Sequence, residues 1–145
     1  MKYYTMEDKK DMSYRVNYLR SQKQQQKERS NFYVGEILRI KELLEINEKE
    51  IIYNDGWIKF HEVGIEGHKK QIQEAFSLDE KKDQEQKLQF HIKQIEDHHK
   101  KTIEYHKKEL NALRKEIQLF EEGIKRCEEQ INYLNEKIKE NTISS

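Results

Sequence analysis

The sequence predicts an all-α protein: a long C-terminal coiled-coil helix preceded by a small N-terminal helical head containing a short β-hairpin or turn. Three observations lead there. Charged residues make up 39% of the 145-residue chain against 34% hydrophobic, with no proline. A compact core would be short of apolar material, whereas a coiled coil needs only about two apolar positions in seven. The apolar residues Leu110, Leu113, Ile117, Phe120, Ile124, Cys127, Ile131, Leu134 and Ile138 recur in alternating steps of three and four, a heptad seam. Between the charged stretches lies IIYNDGWIKFHEVG, residues 51–64, with the only Trp of the chain beside an Asn-Asp-Gly turn signal.

Taken in order, residues 1–30 form a basic N-terminal segment, with eight Lys or Arg against four Asp or Glu. Its second half, from Ser21, has no apolar residue and reads as an exposed helical extension or a disordered stretch. Residues 31–67 form the head. An amphipathic helix carries Phe32, Tyr33, Ile37, Leu38, Ile40, Leu43 and Leu44, with Ser30 or Asn31 as its N-cap. Asn54-Asp55-Gly56 then turns the chain between two short extended runs that lean on that helix. Residues 68–145 form the coiled-coil oligomerisation region. Ser77-Leu78-Asp79-Glu80 has the spacing of a capping box, so a helix restarts at Leu78.

Carried backwards, the seam phase meets His106, Ile103, His99, Glu96 and Ile92, while Ile95 sits one residue off; the phase slips near Glu96. No Gly or Pro marks a reversal at residues 97–101, so one unbroken helix is expected from Leu78 onward. Gly123, beside the seam, permits a bend or a close approach. An uncovered seam implies self-association, with Leu110 to Ile138 as the dimerisation residues of a homodimer.

No stretch is apolar enough for a membrane span or a signal peptide, so a soluble cytoplasmic protein is expected, with a lone Cys127 suiting a reducing compartment. Glycine-rich phosphate loops, HExxH, CxxC and nucleophile-elbow patterns are missing, so neither enzyme activity nor a cofactor is expected. The histidine pairs His91/His98 and His99/His106 are seven apart, about 10 Å along a helix, too far to chelate one metal within a chain. Cys127 lies in core register and reads as a buried, inert thiol.

Function is therefore expected through binding. The first reading is a dimeric adaptor, inhibitor or assembly factor that presents Tyr53, Trp57, Ile58 and Phe60 of the head to a protein partner, since Trp and Tyr are enriched at binding hot spots. The alternative is a dimeric DNA-binding regulator, using Arg15, Arg20, Lys23, Lys27 and Arg29 on phosphates and base edges. MKYYTMED, SYRVNYLR and NFYVGEILRIKELL, within the first 46 residues, resemble the opening of MerR-type regulators. That resemblance implies a winged helix-turn-helix before an antiparallel coiled-coil helix, although QKQQQKER stands where the wing would be.

Overall fold

A computed structural model describes residues 4–142, so the first three residues of MKYYTMED lie outside it. The fold is all-α, two long helical stretches packed antiparallel as a hairpin. The first is α1, Met6–Gln73. The second is α2, Leu78–Gln94, a π-helical turn at Ile95–His99, and α3, Lys100–Asn141.

Each start is fixed locally. Thr5 and Asp8 cap α1 reciprocally: Asp8 N–H donates to Thr5 Oγ1 at 3.0 Å, and Thr5 N–H donates to Asp8 Oδ2 at 3.1 Å. These hydrogen bonds hold the Asp8 carboxyl below its ordinary range. The chain reverses at residues 74–77. Ser77, extended at φ −136° and ψ 160°, accepts from Glu80 N–H at 3.1 Å, and α2 begins at Leu78 as the capping box requires. The Glu80 carboxylate reaches back to Phe76 N–H at 3.1 Å.

Several expectations are corrected here. Among the described residues there is no strand and no small N-terminal head: IIYNDGWIKFHEVG is helical throughout. Asn54-Asp55-Gly56 makes no turn because each residue already has a place on a helix. Asn54 is buried in the seam, Asp55 pairs with Lys59 one turn on at 3.1 Å, and Gly56 lies on the outer face, where an added Cβ would meet no atom within 4 Å. Ser30 and Asn31 cap nothing, since α1 is already underway at Met6. No helix-turn-helix or wing interrupts α1, so the fold implied by the MerR resemblance is absent among the described residues.

The inward face of α1 explains its length. From Met12 the residues turned inward step by four and three through Val16, Leu19, Tyr33, Ile37, Ile40 and Leu44 to Asn47, Ile51, Asn54, Ile58, His61, Ile65 and His68. Lys23, Gln26 and Ser30 hold the same phase, half-buried, through the stretch that lacks apolar residues. One heptad column is Ile, Leu or Val at every step but Lys23 and Ser30, while the other is polar at every step from Asn47 onward.

Contacts divide the molecule into two compact units. The first joins α1 up to Ile40 to α3 from Lys115 onward. Its core holds Val16, Ile37, Ile40, Cys127 and Leu134, with Ile40 fully buried. Tyr33 packs on Phe120 with ring centroids 5.6 Å apart, and the ring lies where a Cβ on Gly123 would come within 2.9 Å of it. Gly123 is therefore a site of close approach. Its glycine is required by the facing ring, because no glycine among the described residues has positive φ.

The second unit is Lys41–Arg114, the hairpin end. Ile58, Ile95, Leu110 and Leu113 are buried here, together with Asn54, His61 and His99. The phase slip expected near Glu96 takes the form of the π-helical turn: Lys100 N–H donates to Ile95 C=O, five residues back, and one extra residue is absorbed. As a result Ile95 and His99 both face inward while Glu96, Asp97 and His98 stay exposed. Helix continues through this point from Leu78 to Asn141, as expected.

Residues Leu110 to Ile138 are thus packed on α1 of their own chain. Among the described residues, every ion pair but one joins residues three or four apart on one helix, all but half-buried Glu36 at exposed sites, each worth about 0.2–1 kcal/mol. The exception, Arg114 to Glu48 at 3.9 Å, is over half exposed. Apolar burial, at about 1.5–3 kcal/mol for each fully buried Ile or Leu, decides the pairing of the helices.

Candidate functional site: a polar seam beneath an aromatic face

Four hydrogen-bonded pairs cross the seam of the second unit. His106 Nδ1 lies 2.6 Å from Asn47 Oδ1 and His99 Nδ1 lies 2.8 Å from Asn54 Oδ1. His61 Nδ1 lies 2.7 Å from His91 Nδ1, and His68 Nδ1 lies 2.6 Å from Gln84 Oε1. On α1 the partners Asn47, Asn54, His61 and His68 are each seven apart. On the returning helical arm of the hairpin Gln84 and His91 are seven apart, as are His99 and His106, but His91 and His99 are eight apart. The π-helical turn supplies that extra residue, and so keeps the ladder in register.

Hydrogen-bond geometry assigns the tautomers. Asn54 Nδ2 donates to Glu50 C=O at 2.8 Å, and Asn47 Nδ2 donates to Leu43 C=O at 2.8 Å, which leaves both Oδ1 atoms as acceptors. His99 and His106 therefore each donate from Nδ1–H, in the neutral form and in the cation alike. The His61–His91 pair differs, because two Nδ1 atoms face each other. One must donate and the other accept, so both rings cannot be fully protonated without losing the bond.

Burial and the neighbouring His61 and His68 rings push His91 below the ordinary imidazole range. His99 is pushed down by burial, with His98 and His61 adding to it. Gly64 makes room for this arrangement, since a Cβ there would lie 2.7 Å from His91 Nε2. No buried side-chain polar atom among the described residues lacks a partner.

Above this seam runs an aromatic face. Trp57 is stacked on His99 with ring centroids 6.1 Å apart and an interplanar angle of 3°. It meets Tyr53 at 6.3 Å and Phe60 at 5.4 Å, both edge-on. Ile52, Tyr53, Gly56, Trp57 and Phe60 line an open depression. Tyr53 is 61% exposed, Phe60 59% and Trp57 38%, while Ile58 is 8% exposed and belongs to the seam. Of the four residues expected to meet a partner, three share one accessible face and Ile58 holds the hairpin closed.

The five basic residues expected to meet DNA do not share a face. Arg15 lines a groove with Tyr18, Tyr133 and Lys137; Arg20 borders a different one with Val16 and Asn17; Arg29 lines a third with Tyr33 and Gly123. Lys23 is half-buried in the seam and Lys27 is exposed. Cys127 is buried. Among the described residues no three His, Cys, Asp or Glu side chains converge to hold a metal ion, and no helix is long and apolar enough to cross a membrane.

Asn47, Asn54, His68 and Gln84 were not expected at the site. The signal for the three on α1 was present in the seven-residue spacing of Asn47, Asn54, His61 and His68, which continues the phase of Tyr33 and Ile40, and that for Gln84 in its seven-residue spacing from His91. No known family matches the chain, and no curated protein or solved structure is detectably similar to it.

Proposed function

We propose that this chain is a non-enzymatic interaction protein that docks the apolar face of a partner protein's helix on Tyr53, Trp57 and Phe60. One observation carries the reading: three large aromatics stand together on the outer face of a helix whose inner face already has its partner. Exposed apolar clusters mark interaction sites, and Trp and Tyr supply much of the energy at such sites. The helical setting of the face favours a helix as occupant, read through side chains three or four residues apart.

The test begins with the partner captured from the native cell and is made with that partner purified. Tyr53→Ala and Phe60→Ala should each weaken binding by about 30-fold, the effect of roughly 2 kcal/mol at a hot spot, with unchanged thermal unfolding of the free protein. Unchanged affinity in both variants would reject this face. Sedimentation of the pure protein separates a second copy from a foreign partner: a dimer dissociated by Phe60→Ala would identify the occupant as the chain itself.

A further inference from the structure

We infer that the half-buried His61–His91 pair is an acid-sensitive latch, which holds the hairpin end closed at neutral pH and releases it on acidification. The geometry carries this. Two imidazole nitrogens of the same kind meet at 2.7 Å across the helix pair, and that contact exists only while one of them keeps a lone pair. The neighbouring pairs differ in kind. Asn54 and Asn47 present oxygen acceptors to His99 and His106, and these contacts survive protonation.

Relief from neighbours is lacking. The ionisable groups facing His91 are His61 and His68 from α1, and those near His99 are His61 from α1 and the adjacent His98. His61 in turn meets His91 and His99, so each added proton brings like charges together. Among the described residues no carboxylate is ion-paired with any histidine. Gly64 lets the His91 ring lie against α1, so a latch member that leaves its place has no side chain beneath it to hold it there.

The direction follows from linkage. His91 and His99 have folded-state values below the ordinary 6.5, so the unfolded chain takes up protons first as pH falls. Their stabilising effect is complete above that value and is lost as pH drops below it. The consequence is local, because the first unit contains none of the six histidines, all of which lie between His61 and His106. Trp57, stacked on His99, lies over the released segment, so acid would also disturb the proposed docking face.

The test is amide hydrogen exchange of the full chain at pH 7.5 and pH 5.5, corrected for the intrinsic pH dependence of exchange. Protection around residues 54–65 and 88–99 should fall by about tenfold, the effect of one extra proton bound by the opened state over about one pH unit, with protection around residues 33–40 and 117–127 unchanged. His91→Gln should flatten most of the difference, whereas exposed His98→Gln, which relieves only His99, should leave most of it in place. Equal loss in both units, or no loss in the second, overturns the latch, and these wild-type readings stand even if His91→Gln fails to fold. A full pH response in a folded His91→Gln variant overturns it as well.

Discussion

Replacing glycine by alanine should stabilise this protein at some positions and destabilise it at others, and the structure fixes the sign. Within a helix the exchange gains about 1 kcal/mol from propensity alone. At Gly35, Gly56 and Gly67 an added Cβ meets nothing within 4 Å, so the gain is realised. At Gly123 the same atom would lie 2.9 Å and 3.1 Å from two ring carbons of Tyr33. That ring is braced by Phe120 at 5.6 Å and Phe32 at 6.0 Å, so it has little room to retreat. Overpacking of this kind costs about 1–3 kcal/mol, which outweighs the propensity gain at its midpoint by about 1 kcal/mol. Thermal unfolding followed by circular dichroism should place Gly35→Ala about 3 °C above the parent and Gly123→Ala about 3 °C below it. Adding Tyr33→Leu to Gly123→Ala should recover the propensity gain, giving a coupling energy of at least about 1 kcal/mol. A Gly123→Ala protein stabilised as much as Gly35→Ala would refute the close approach of Tyr33.

The remaining predictions concern the second unit. Asn54→Leu leaves the His99 Nδ1–H buried without its acceptor and should lower stability by about 1–3 kcal/mol in urea unfolding, while Asn54→Leu with His99→Leu should recover most of the loss. Gly64→Ala should destabilise, in contrast to Gly67→Ala, because its Cβ meets the His91 ring at 2.7 Å. Deleting exposed Asp97 should be tolerated in thermal unfolding, since the π-helical turn then closes as ordinary helix with both halves of the seam in phase. Deleting Lys108 should cost several times more, because it turns the seam from Leu110 onward away from α1.

The C-terminal seam was legible because Leu, Ile and Cys stand at nearly every inward position from Leu110 to Ile138. The α1 seam was not, for a physical reason. Lys23, Gln26, Ser30, Asn47 and Asn54 interrupt its apolar pattern, and the last of these begins Asn-Asp-Gly, a strong local turn signal. Tertiary context overrides that signal: besides the local bond from Asn54 to Glu50 C=O, Asn54 gains a donor at His99, 45 residues away, which no isolated segment supplies. The histidines were seen in core register, yet their partners lie 30 to 59 residues away on α1 and could be paired only once the reversal at residues 74–77 was known. Three of the four aromatic and apolar residues expected to meet a partner stayed on an outer face; Ile58 did not, because its spacing from Ile51 and Ile65 places it in the seam.

The central claim is that the heptad seam closes within one chain. A one-to-one mixture of 13C-labelled and unlabelled protein tests it most directly. Nuclear Overhauser effects between Trp57 and His99, and between Tyr33 and Phe120, should appear within the labelled chain and be absent from the isotope-filtered interchain spectrum. If the same cross-peaks arise between labelled and unlabelled chains, the seam is intermolecular and the hairpin is contradicted.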